Sequence, residues 1–214
     1  MALLRALRTR LGLRKEKKAW QPVQFSGARP PNASEFFGGK FERRSDIGRL
    51  IRPGGIGVEL GVAKGEFSSA LLENSDLGYL YSVDMWAGDR SHTVEQYREA
   101  IQRLDKHRTR NSVIRLRFDE ALPIFPDSFF DFVYIDGYAG TGQDGGKTLE
   151  DWWPKLKPGG LFSGDDYSPK YPLVMKAVND FSASHQLSVY LIEPQVKENV
   201  YAQQPTWLCL KPDV

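Results

Sequence analysis

The stretch Ile56-Gly57-Val58-Glu59-Leu60-Gly61-Val62-Ala63-Lys64-Gly65-Glu66-Phe67-Ser68 decides how this chain is read. Ile56–Leu60 is a short apolar run of the kind a buried strand needs. Gly61 and Gly65 then permit a tight turn and a close approach of backbone to a ligand. A helix is predicted over Glu66–Glu73, and its unpaired N–H groups point back into that turn. Glu59 sets a carboxylate near the strand end, where it can accept from an ammonium or a hydroxyl. The glycines do not follow G-x-G-x-x-G, and no G-K-[ST] is present, so neither a dinucleotide loop nor a phosphate loop is expected.

Strands and helices alternate on the C-terminal side. Strands are predicted at Tyr79–Val83, Val113–Phe118, Phe130–Ile135, Leu161–Ser163, Val189–Ile192 and Thr206–Leu210. Helices are predicted at Thr93–His107, with Val94, Tyr97, Ile101 and Leu104 on one stripe, at Thr148–Leu156 and at Leu173–Ser184. Lys157-Pro158-Gly159-Gly160 reads as a turn. This order predicts an α/β sandwich whose mostly parallel sheet carries helices on both faces. Its two last strands, with no helix between them, form an antiparallel pair at one edge. Ligands of such sheets bind outside the carboxyl ends of the strands. The residues found there are Asp84-Met85-Trp86, Asp119-Glu120, Asp136-Gly137-Tyr138 and Gly164-Asp165-Asp166-Tyr167. Asp84 can grip two ribose hydroxyls, Met85 and Trp86 offer apolar surface to a purine, and Asp119 or Glu120 can accept from an exocyclic amine.

On the N-terminal side, residues 41–51 look helical and stop at Arg52-Pro53-Gly54-Gly55. Residues 20–40 are rich in Pro, Gly and Ser and read as an irregular arm, so the predicted organisation is an arm over 1–40 and one domain over 41–214. Phe36, Phe37 and Phe41 are candidates for a lid over the acceptor or for core packing. Asn32-Ala33-Ser34 fits a glycosylation sequon by chance. Residues 1–18 hold seven Lys/Arg against Glu16, although the whole chain is only +2, so the body is net acidic. A general nucleic-acid surface is therefore not expected. The basic segment itself fits a solvated terminus or homo-oligomer contact, a peripheral membrane contact, or an organelle-targeting segment. With 214 residues and one cysteine, Cys209, the chain can build a core without disulfides, and a reducing, cytoplasmic setting is the simplest expectation. His92, His107 and His185 read as surface residues, and Trp152 and Trp153 as core before acceptor wall.

Val58–Gly65 followed by Asp84 resembles the cofactor signature of class I S-adenosylmethionine-dependent methyltransferases. Phe130–Gly137, Asp151-Trp152, Leu156–Leu161 and Gly164–Tyr167 are similar to the metal-dependent O-methyltransferase branch, which holds the catechol-type and macrocin-type sugar enzymes. The resemblance spans roughly residues 54–190. It implies the Rossmann-like seven-stranded methyltransferase fold and O-methylation of a small or carbohydrate acceptor. It implies Glu59, Gly61, Gly65 and Ser68 around the methionine half of the cofactor, Asp84 at the ribose, Asp119 or Glu120 near adenine, and Asp136 among the cofactor-binding residues. It also implies a Mg²⁺ ion on Asp136, Asp165 and Asp166, since three oxygen ligands suit a hard cation. The branch carries a histidine shortly after the position of Asp136-Gly137. Here that loop is Tyr138-Ala139-Gly140-Thr141-Gly142-Gln143-Asp144-Gly145-Gly146. Tyr138 or Asp144, beside Asp136 and Asp165, is left to orient or deprotonate the acceptor. The rivals are a metal-independent small-molecule methyltransferase and a cofactor-binding protein without catalysis; the glycine spacing disfavours a nicotinamide oxidoreductase.

Overall fold

The computed structural model describes residues 28–88, 92–196 and 203–213. The basic segment 1–18 lies outside the described residues. Seven strands, β1 (Ile56–Leu60), β2 (Tyr79–Asp84), β3 (Asn111–Arg115), β4 (Phe130–Ile135), β5 (Leu156–Gly164), β6 (Tyr190–Ile192) and β7 (Thr206–Leu210), form one sheet in the order β3-β2-β1-β4-β5-β7-β6. The pairs from β3 to β5 are parallel, whereas β7 runs antiparallel to both β5 and β6. This is the Rossmann-like methyltransferase sheet expected above.

Helices α1 (Ala33–Phe37), α2 (Glu66–Asn74), α3 (Val94–Leu104), α4 (Phe118–Ala121), α5 (Gly142–Gly145), α6 (Lys147–Trp152) and α7 (Pro172–Ser184) complete the fold. Strand pleating sorts the apolar side chains onto two faces. Val58, Leu60, Val133 and Ile135 share one core with Leu149 and Trp152 of α6 and Val174, Val178 and Phe181 of α7. Phe132 and Tyr134 share the other with Phe67, Leu71 and Leu72 of α2 and Ala100 and Leu104 of α3. Cys209 is buried in the first core, and burial pushes its thiol up to about 12, which leaves it a packing residue.

Several elements differ in extent or orientation from the sequence reading. β3 begins and ends earlier, because Phe118 opens α4, where the Glu120 carboxylate accepts from Arg117 N at 3.0 Å. The predicted turn at Lys157-Pro158-Gly159-Gly160 is an irregularity inside β5, which pairs Phe130 with Leu156 but Phe132 with Leu161. The buried stripe of α3 is Ala100 and Leu104, while Ile101 faces solvent. Gly65 packs against this stripe: a Cβ there would lie 3.2–3.3 Å from Leu104 and Ala100.

Residues 31–33 run beside β6, with Leu191 N donating to Pro31 O at 2.9 Å. Asn32 caps α1 by accepting from Ser34 N at 2.9 Å. Phe36 and Phe37 stack on Tyr190, away from the strand-end cleft, and Phe41 is core. None of the three forms the lid considered above. A 3-10 segment, Arg44–Leu50, crosses toward the cleft. The Asp46 carboxylate accepts from Glu42 N and Arg43 N at 2.8 and 2.9 Å, and Ile47 and Ile51 anchor in the core.

Candidate active site

Strand order reverses between β1 and β4, and outside their carboxyl ends lies a cavity of about 590 Å3. That is the size and place expected of a ligand site in an open α/β sheet. Glu59, Gly61, Asp84, Met85, Asp136, Tyr138 and Asp166 all line it, together with Arg44, Glu66, His92, Arg117 and Tyr171. Five of its lining side chains are carboxylates, from Glu59, Glu66, Asp84, Asp136 and Asp166, which suits a cationic ligand. Glu66 Oε1 lies 3.8 Å from Arg103 Nη2, which ties this carboxylate to α3 at the cavity wall.

The turn after β1 is shaped as much by the protein as by any ligand. Gly61 has φ +100°, and a Cβ there would lie 1.8 Å from the Asp136 carbonyl oxygen. Glycine at 61 thus lets β1 and β4 end side by side. Asp84 clamps this turn to the one after β2: Oδ2 accepts from Val62 N and Ala63 N at 3.0 Å, and Oδ1 from Trp86 N at 3.1 Å. His92 Nδ1 lies 3.0 Å from Asp84 Oδ2. Burial raises the Asp84 carboxyl, but the hydrogen bond and charge of His92 and the Ala63 and Trp86 N–H groups outweigh it and hold the group below its usual range. His92 is therefore a wall of the site and not a bystander. Trp86 is fully buried and donates its indole N–H to Ala63 O at 2.8 Å, so Met85 alone of the expected pair faces the cavity.

Glu59 is 1% exposed. Ser68 Oγ donates to its Oε2 and lies 2.9 Å from Ser82 Oγ, which in turn accepts from Asn111 Nδ2 at 2.9 Å. Burial, the largest influence, pushes the Glu59 carboxyl up to about 8 against the lowering effects of Ser68 and Arg44. Ser68 thus sits behind Glu59 and orients it; it does not line the cavity, contrary to the sequence expectation. Glu120 serves as the α4 cap. Asp119 pairs with Arg117 Nε at 3.1 Å and, with Asp144, lines an adjoining cavity of about 210 Å3. Neither Asp119 nor Glu120 reaches the main cavity.

The expected metal ligands find a different partner. Arg44 Nη1 donates to Asp136 Oδ2 at 2.8 Å and to Asp165 Oδ2 at 3.1 Å. Arg44 is 4% exposed and its guanidinium lies 4.7 Å from the centroid of the Phe67 ring. Burial works to lower its pKa, yet Tyr134, Asp136, Asp165 and Glu59 hold it above the usual arginine value. Burial also raises Asp165 well above the carboxylate range and takes Asp166 up to about 7. Asp136 and Asp166 line the cavity and Asp165 does not. Among the described residues no three His, Cys, Asp or Glu side chains form a metal-binding group. The residues present do not fit the expected Mg²⁺ ion: the described carboxylates do not converge on one point, and a buried arginine cation already sits against Oδ2 of both Asp136 and Asp165. No feature of the sequence marked Arg44, whose partners lie 92 and 121 positions away.

A net acidic cleft at the reversal point of a mostly parallel sheet, beside a glycine turn, is where enzymes of open α/β architecture hold their ligands. A methyltransferase-domain family model matches residues 58–167, and the chain belongs to that family. It is an S-adenosylmethionine-dependent methyltransferase. Solved structures of the same fold include a tRNA methyltransferase from Aquifex aeolicus (16% identity, TM-score 0.56, 81% of this chain and 73% of that one). They include a candidate caffeoyl-CoA O-methyltransferase from Staphylococcus aureus (16%, 0.57, 78% and 80%). A spermidine synthase bound to the transition-state analogue AdoDATO is also similar (15%, 0.58, 80% and 58%). No curated protein sequence matches the chain.

Proposed function

We propose that the enzyme transfers the methyl group of S-adenosylmethionine to a hydroxyl of a small or carbohydrate acceptor. One observation carries this reading: Glu59, Gly61, Asp84 and Asp136, four strand-end residues from three strands and the turn after β1, line a single acidic cavity. Bound there, the cofactor supplies an electrophilic methyl on a positively charged sulfur. Glu59 and Glu66 would hold its ammonium, and Asp84 with Met85 its nucleoside. Alignment of acceptor oxygen, methyl carbon and sulfur is the main task left to the protein. The acceptor oxygen forms the new C–O bond, the C–S bond breaks to leave a thioether, and the hydroxyl proton must pass to a base. Asp166 lines the cavity with a carboxyl raised to about 7, chiefly by burial and then by Asp136, which matches it to that role near neutral pH. Tyr138 and Tyr171 offer aromatic faces at the cavity wall, suited to a sugar ring or a catechol. The net acidic body favours such acceptors over RNA, the substrate named for one structural neighbour.

Transfer of labelled methyl to a panel of sugars, nucleotide sugars, catechols and transfer RNA tests this. The expected result is label on a small hydroxyl compound and none on RNA. Label on RNA alone, or cofactor binding with no product from any acceptor, would contradict it.

A further inference from the structure

We propose that Arg44 is the resident cation of this site: its guanidinium fills the place between Asp136 and Asp165 where the sequence led us to expect a divalent ion, and it positions Asp136 for the acceptor without a metal. The inference rests on the methyl-transfer reading above. One nitrogen, Nη1, serves both carboxylates, at 2.8 and 3.1 Å, and so bridges the ends of the neighbouring strands β4 and β5. The Arg44–Asp165 half of the bridge is buried: Arg44 is 4% and Asp165 2% exposed, and the Phe67 ring lies over the guanidinium. Mg²⁺ keeps several waters when it binds and sheds them reluctantly, whereas a guanidinium is weakly hydrated and accepts a stacked, dry place.

The fold delivers this charge. Asp46 fixes the start of the 3-10 segment Arg44–Leu50, and Ile47 and Ile51 pin it in the core. Gly48 lets the segment close on α2, since a Cβ there would lie 2.6 Å from Ser75 Cβ. Arg44 is thereby held against the sheet. Asp136, whose side chain is 24% exposed, meets the cavity with one oxygen already fixed. Arg44 acts through Asp136 and is a positioning residue.

The test uses the full chain as wild type, Arg44→Gln, Arg44→Lys and Asp165→Asn. Mn²⁺ binding is followed by electron paramagnetic resonance, and S-adenosylhomocysteine binding by calorimetry. The expected wild type binds no stoichiometric Mn²⁺ at roughly millimolar metal, and its methyl transfer survives chelation within about twofold. Arg44→Gln should lower kcat by at least about tenfold while cofactor-product affinity stays within about threefold, and Arg44→Lys should recover part of the rate. One Mn²⁺ per wild-type chain, lost in Asp165→Asn, would overturn the proposal, as would wild-type kcat in Arg44→Gln. If Arg44→Gln does not fold, Arg44→Lys and the wild-type Mn²⁺ titration decide the question. Absence of S-adenosylhomocysteine binding would refute the methyl-transfer reading instead, and the Mn²⁺ result would still report on Arg44.

Discussion

At Glu59, burial and charge oppose each other. Burial lifts its carboxyl from 4.5 to about 8, and Ser68 and Arg44 offset only part of that rise. Between those values the native state holds a proton that the unfolded chain does not. Stability of the ligand-free protein contributed by this site is therefore full below about pH 4.5 and declines as pH rises toward about 8. Thermal melts over that range should show a falling Tm, and Glu59→Gln, which stays neutral, should show a shallower fall. Equal slopes would remove Glu59 as the cause. Gly61 makes a sharper demand. A Cβ 1.8 Å from the Asp136 carbonyl meets backbone, which no rotamer relieves. Gly61→Ala should cost on the order of 3 kcal/mol or more in urea unfolding, and a loss under about 1 kcal/mol would contradict the close approach. Glu59, Gly61, Asp84 and Asp136 are legible in the sequence because each stands at or just past the end of an apolar run. Ser68 and Glu120 mislead because hydroxyl and carboxylate groups near a cofactor turn look alike whether they face the ligand or brace its neighbours. Arg44 is silent because its partners come together only after the sheet has formed.

The elements around the cleft divide the work. The turn after β1 and the turn after β2 are joined through Asp84, so the cofactor side is tied across two strands. In the proposed reading, the glycine-rich loop after β4 shapes the acceptor side. Gly142, with φ +64°, packs against α7 so closely that a Cβ would lie 2.5 Å from Leu173 O. Gly142→Ala should lift this loop from α7 and raise the acceptor KM several-fold, with S-adenosylhomocysteine affinity unchanged; unaltered acceptor kinetics would show that the docking does not shape the acceptor side. Strand boundaries show where local sequence reaches its limit. β1, β4 and β7 match their expected ends because glycine, proline or charged residues bracket a compact apolar run. β5 runs through Pro158 and Gly159, residues that signal a turn, because a bulge accommodates the Pro-Gly-Gly stretch without breaking the sheet. α3 keeps Tyr97 and Leu104 of the expected stripe but buries Ala100 in place of Ile101, where Gly65 packs against it, a contact between elements that helical periodicity alone does not encode.

On the scale of the whole molecule, charge is divided between a basic start and an acidic body. If residues 1–18 serve a membrane surface, the intact chain should float with anionic liposomes at low salt and a 1–18 deletion should not, with methyl transfer unchanged in both; equal flotation would dismiss that role. No helix among the described residues is long and apolar enough to cross a membrane. The mostly parallel sheet and its antiparallel edge were readable because strand-helix alternation stops before the last strand, whereas the metal expectation failed because an arginine from outside the alternating core entered the site. The account's centre is that the cleft between β1 and β4 receives a sulfonium nucleoside. Calorimetric titration of S-adenosylhomocysteine into wild type and Asp84→Asn tests that most directly. One site per chain is predicted, with affinity at least roughly tenfold weaker in the variant, about 1.4 kcal/mol or more. Absence of binding to wild type, or equal affinity in both proteins, would contradict it.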